Sequence, residues 1–228
     1  MRLIHGLTFA AAVAMLAPTL IAQDQEASRA VAGGGISVPG WSGKADGTGS
    51  VNEAKFAKEG AGFHVTTGPA ITYWNLANKA AGNYTVKATF NEPKYMNLND
   101  HPHPYGIMIA GNDLGTANES LLYCAAYGNG TFIVRGFGPQ AFRMNGPRGE
   151  ANPAVHQAAG KDQPVTQEVA LSVKGDKVEC AINGTVVGSY DKAALVAAGK
   201  LKSTDGVYGL RFAHNTEVIV TGFGMTKN

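Results

Sequence analysis

Side chains that switch between apolar and polar every second residue, between closely spaced Gly- and Asn-rich turns, constrain this chain more than any other feature. Phe63 and Val65 alternate with His64 and Thr66, and Tyr84, Val86, Ala88 and Phe90 alternate with Thr85, Lys87 and Thr89. A period of two is that of a half-buried β-strand. Residues 105–110, 121–127, 131–135, 169–173, 178–182, 185–190, 207–213 and 217–223 read as further strands. Gly128-Asn129-Gly130 makes a tight turn between two of them, and Lys174-Gly175-Asp176-Lys177 another. Asn183-Gly184 suits a type I′ hairpin, because both of its central residues need positive φ. Helical signal is confined to residues 191–200 (DKAALVAAGK), with Asp191 as the cap. Residues 145–163 are rich in Gly, Pro and Ala and read as a long loop, a feature that in a compact domain is often functional. Many short strands at regular spacing predict an all-β fold, a two-sheet antiparallel jelly-roll sandwich.

The first 22 residues read as a secretory signal peptide. Arg2 gives a positive start, residues 7–16 are an uncharged apolar run, Pro18 ends it, and Leu20-Ile21-Ala22 offers a cleavage site, with Ala17 and Ala27 as alternatives. The run is shorter than the roughly 20 residues that span a bilayer. Residues 23–40, around Ala32-Gly33-Gly34-Gly35, read as a flexible leader, and residues 41–228 as the single jelly-roll domain. The expected location is therefore secreted, periplasmic or extracellular. Without Arg2 the chain carries 18 basic residues against 17 acidic ones, down from 19. That balance argues against nucleic acid or an anionic membrane surface as a partner. Two cysteines remain, Cys124 and Cys180, in an oxidising compartment that favours a disulfide. Strand alternation points both into the core; they either pair there or stay two buried thiols, since pairing depends on tertiary geometry.

Several segments together carry a family likeness. They are Gly62 through Pro69, Gly82 through Val86, the stretch His103-Pro104-Tyr105-Gly106-Ile107, the hairpin at 128–135, Ile182-Asn183-Gly184, and Gly206-Val207-Tyr208-Gly209-Leu210-Arg211. Over residues 41–226 the chain resembles secreted bacterial domains of the concanavalin A-like, or laminin G-like, jelly-roll superfamily. The nearest relatives implied are the 3-keto-disaccharide hydrolase-like proteins (domain of unknown function 1080). Those relatives carry Asn-Ser-Gly followed by Arg in an early strand. Here the comparable place reads Tyr105-Gly106-Ile107-Met108-Ile109-Ala110, so their catalytic assignment does not transfer. The Glu-x-Asp-x-x-Glu strand of the superfamily's β-glucanases is absent too.

Alternation also tells which side chains leave the core. His64, Tyr123, Tyr127, Arg135 and Arg211 all point outward on this reading. On one sheet face they would form a sugar platform, with aromatic faces stacking on pyranose rings while Arg and His donate to hydroxyls. The polar loop at 97–104, with His101 and His103, and the segment 136–150, with Arg143 and Arg148, would rim it. His101-x-His103 next to Asp100 is a fragment of a transition-metal site; no further ligand is adjacent in sequence and His156 and His214 could join only through folding, so none is expected there. Calcium is the candidate cation, because the superfamily often carries it and Asn97, Asn99, Asp100 and Asp113 have oxygen ligands; a solvated loop is the preferred reading. No acidic pair stands at strand spacing aimed at one face, and no Gly-x-Ser-x-Gly elbow is present. The leading expectation is a secreted glycan-binding module whose partner is a polysaccharide or oligosaccharide. One alternative is a glycoside or 3-keto-disaccharide hydrolase-like enzyme. The other is a structural envelope protein that self-associates through edge strands or the leader.

Overall fold

The computed structural model describes residues 27–228; the expected signal peptide and the first residues of the leader lie outside them. In chain order the strands are β1 (Gly35–Ile36), β2 (Trp41–Ala45), β3 (Lys55–Glu59), β4 (Gly62–Thr66), β5 (Ile71–Ala80) and β6 (Tyr84–Glu92). Next come β7 (Tyr105–Asn112), β8 (Ser120–Ala126), β9 (Thr131–Phe137), β10 (Phe142–Arg143) and β11 (Glu150–Ala151). The chain closes with β12 (Val165–Lys174), β13 (Lys177–Ile182), β14 (Thr185–Asp191), the single helical turn α1 (Lys192–Leu195), β15 (Gly206–Phe212) and β16 (Glu217–Lys227).

These strands build two packed sheets. The first runs β1-β3-β4-β16-β6-β12-β13-β14 and the second β10-β9-β8-β7-β15-β5-β2, with β11 also paired to β9. All pairings between these strands are antiparallel except β1 with β3. This is the all-β, two-sheet antiparallel jelly-roll sandwich that the alternation predicts. Its core lies between the sheets, where Val86, Ala88 and Phe90 of β6 and Val169, Leu171 and Val173 of β12 meet Ile107 of β7, Leu122 of β8 and Phe212 of β15. Cys124 on β8 and Cys180 on β13 form a disulfide through this core, stapling one sheet to the other.

The local chemistry explains where the turns fall. Asn183 and Gly184 have φ of 50° and 81°, the two positive values a type I′ hairpin requires. At the previous hairpin only Gly175 is positive, at 60°, the pattern of a II′ turn.

Three details differ from the sequence reading. The chain joins the first sheet at Gly35, ahead of Trp41, because the backbone of Gly35 and Ser37 donates to the carbonyls of Ala54 and Phe56. The helical stretch after Asp191 is one turn, and Asp191 does not cap it; its carboxylate accepts instead from Lys177 at 2.6 Å. Residues 145–163 are not all loop, since β11 within them lies along β9.

β5 gave no clean alternation, and for a reason that matters to the site. The second sheet is apolar on both faces. Behind the main core, Trp74 of β5, Met108 of β7, Leu121, Tyr123 and Ala125 of β8, Ile133 of β9 and Val207 of β15 form a second buried cluster on the outer face. A strand buried on both sides reads as a continuous apolar run, as β8 does from Leu121 to Ala126.

Candidate functional site

A groove crosses the outer face of the second sheet. Its larger part, about 890 Å³, has Tyr123, Tyr127, Arg135 and Arg211 in its lining, with Asp46 and Gly47 on one side and His101, His103 and His214 on the other. A second part, about 700 Å³, shares Tyr123, Arg135 and Arg211 and continues to Phe137, Phe142 and Arg143.

The positions follow from strand register. Tyr123 pairs with Arg135 across β8 and β9, so the two side chains stand on one face. Tyr127 continues that face just past β8, and Arg211 reaches it from β15. His101 and His103, on the loop between β6 and β7, and Arg143 and Arg148, on the segments after β9, also line the groove.

His64 is the exception. It lies on β4, in the first sheet, with Val65 pointing into the core and the imidazole pointing out of the opposite face of the sandwich. There its two ring nitrogens meet Glu59 at 3.0 Å and Glu217 at 3.1 Å. Alternation gives the side of a strand and not which sheet the strand joins, so His64 could not be sorted from the others by sequence.

Two other residues are in the groove but not open in the way an exposed platform requires. Arg211 is only 6% exposed. Its Nη1 donates to Asp46 Oδ1 at 2.8 Å and to Thr72 Oγ1 at 3.1 Å, its Nη2 donates to Asp46 Oδ2, and its guanidinium lies 5.4 Å from the Tyr123 ring and 5.3 Å from the Phe137 ring. Burial works against its charge, but Asp46 more than offsets that and the pKa lies above the usual arginine value. Tyr123 in turn is 8% exposed, covered by these contacts.

The accessible part of the groove therefore centres on Tyr127 and Arg135, both half-buried. Burial raises the Tyr127 pKa while the Arg135 charge pulls it down. Arg135 Nη2 donates to the Pro147 carbonyl at 2.6 Å, and its buried Nε has no acceptor among the described residues.

Carboxylates on the groove are committed elsewhere. Asp46 is held by Arg211, Glu119 accepts from Lys44 at 2.7 Å, and Glu53 accepts from the Ser50 backbone at 2.8 Å in a capping box. The oxygen-bearing residues weighed for calcium also diverge: Asn97 Nδ2 donates to Glu217, Asp100 faces His101, and Asp113 pairs with Lys202.

The histidine wall is denser than the sequence suggested. His103 Nδ1 donates to the backbone carbonyl of His214, 111 residues away. Its Nε2 lies 2.8 Å from Nε2 of His101, whose Nδ1 lies 2.8 Å from an Asp100 carboxylate oxygen. Burial, helped by the neighbouring His214, pushes the His103 pKa down to about 3, so its ring is neutral at physiological pH. His214 carried no local sequence signal at all; only the pairing of β15 beside β7 brings its turn to the loop that holds His101 and His103.

No protein-family model and no curated protein sequence matches the chain. Solved structures do. The fold superposes on the carbohydrate binding module CBM66 from Bacillus subtilis with a TM-score of 0.55 at 11% identity, covering 82% of this chain and 96% of that one. A protein of unknown function with a galectin-like fold, also from Bacillus subtilis, gives a TM-score of 0.53 at 11% identity, over 82% of this chain and 89% of that one. At this identity the likeness establishes a galectin-like, concanavalin A-like jelly roll; the 3-keto-disaccharide hydrolase-like resemblance finds no match of its own, and fold alone does not assign a ligand.

Proposed function

We propose that this is an exported carbohydrate-binding domain that holds an oligosaccharide or a stretch of polysaccharide in the groove across the second sheet. The observation that carries this reading is the presence of Tyr127 and Arg135 together in the lining of a groove of about 890 Å³. Sites for small ligands run to about 300–1,000 Å³, mostly apolar with a few placed polar groups. The apolar face of a pyranose suits the half-buried tyrosine. Its hydroxyls, or a carboxylate on an acidic sugar, suit the Arg135 and Arg148 donors, and a planar fork of donors favours two adjacent oxygens. The likeness to a carbohydrate binding module supports the same reading. Export is supported by the disulfide, since such bonds persist in oxidising compartments. Among the described residues no helix is long and apolar enough to cross a membrane.

Glycan-array screening followed by affinity gel electrophoresis tests the reading. At least one polysaccharide should retard the protein. Tyr127→Ala and Arg135→Ala should each weaken binding by about fivefold or more, the loss expected of an interface residue worth over 1 kcal/mol. No retardation by any glycan, or retardation indifferent to both substitutions, would remove the proposal.

A further inference from the structure

We propose that His101, His103 and His214 form a binding site for a divalent first-row transition metal, Zn²⁺ the best fit, at the edge of the groove. The proposal stands apart from the glycan reading, because it rests on the histidines and not on Tyr127 or Arg135.

The ligand atoms already converge. One nitrogen from each of the three rings lies within 4.8 Å of the others. Two nitrogens of a tetrahedral zinc centre stand roughly 3.3 Å apart, given Zn–N bonds of about 2.0–2.1 Å. The Nε2 atoms of His101 and His103, at 2.8 Å, need only a small outward rotation to reach that spacing.

The outer partners are those of a metal site. A metal-bound imidazole usually gives its other nitrogen to a carboxylate or a backbone carbonyl, which fixes the tautomer and aims the ligating nitrogen. Both arrangements occur here. Asp100 holds Nδ1 of His101, and the carbonyl of His214 accepts from Nδ1 of His103, while the two Nε2 atoms face each other. The supporting backbone is stiff. Pro102 and Pro104 bracket His103, and the Pro104 carbonyl accepts from the backbone of Ala213 at 2.9 Å, tying the loop to the turn that carries His214. That turn is pinned by Thr67, whose Oγ1 donates to the Ala213 carbonyl at 2.7 Å and accepts from the backbone of Thr216 at 2.9 Å.

The identity of the ion follows from the donors. Three imidazoles suit zinc, copper or nickel and not calcium or magnesium, which take oxygen ligands. Among the described residues three ligands converge, and all three rings line the groove, so a bound ion would sit at its edge.

The purified protein, stripped with a chelator and dialysed, is titrated with Zn²⁺ by calorimetry, and bound metal is counted by plasma mass spectrometry. One Zn²⁺ per chain is expected, with no comparable uptake of Ca²⁺. Asp100→Asn, which removes only the outer partner, should weaken binding about 10–100-fold. His103→Ala and His214→Ala should weaken it further, and His64→Ala should leave it unchanged. Co²⁺ in place of zinc should give the intense visible absorption of a tetrahedral site in the parent protein and lose it in His103→Ala. Should the alanine variants fail to fold, His101→Gln, at a half-exposed ring, carries the same test. Substoichiometric uptake, or uptake unmoved by His101→Gln and His103→Ala, would overturn the site and mean that the three rings are held by hydrogen bonds alone.

Discussion

Arg211 and Asp46 form an ion pair whose halves differ sharply in exposure, the arginine side chain at 7% and the aspartate at 43%. Removing one partner of a buried pair costs about 3–5 kcal/mol when the survivor is a charge left in a dry site. Asp46→Ala strands the buried guanidinium and should cost about 3 kcal/mol in urea unfolding. Arg211→Met leaves a carboxylate that water can reach and keeps the packing under Tyr123, so it should cost about 1 kcal/mol or less, as apolar replacement of buried ions often does. The reverse ranking would mean that the pair is not the main support of the groove floor. Glu92 provides a second residue-scale prediction. It is 4% exposed, and burial raises its pKa from 4.5 to about 7, against the lowering effect of the hydrogen bond from the Met96 backbone. Between those two pH values the folded chain keeps a proton that the unfolded chain has lost. Stability from this group is therefore highest below pH 4.5, falls as pH rises to about 7, and levels off above it. The full drop is about 3 kcal/mol. Glu92→Gln should flatten that slope and melt higher than the parent at pH 8.

At the scale of elements, the hairpins and the groove floor teach different things. The turn at Asn183-Gly184 was readable because local sterics alone decide it. Gly184→Ala, forcing a side chain onto φ of 81°, should cost about 1 kcal/mol or more with the fold unchanged, measured by chemical denaturation. The floor was readable in part. Pairing of β8 with β9 follows from the short Gly128-Asn129-Gly130 turn, and once they pair, Tyr123 and Arg135 must share a face. That their outer face is largely covered was harder to see, because the apolar run of β8 fits either a strand buried on both sides or one with stray exposed aromatics. The start of β5 shares that ambiguity, with Ile71, Thr72, Tyr73 and Trp74 all buried.

At the scale of the whole molecule, the disulfide is the one covalent tie between the sheets, joining residues 56 apart in sequence. Closing a loop of that length restricts the unfolded chain by about 4 kcal/mol. Cys124→Ala with Cys180→Ala should lower stability by about that amount, and reduction of the parent should do the same; a loss under about 1 kcal/mol would mean the native fold gains nothing from the tie. Alternation, turn residues and the inward direction of both cysteines are properties of a few neighbouring residues, so the sequence by itself determined two β layers, their hairpins and which side chains leave the core. Which sheet each strand joins is set by contacts between residues far apart in the chain. Only the tertiary structure could therefore send His64 to the opposite face, place Asp46 on Arg211, and bring His214 against His101 and His103.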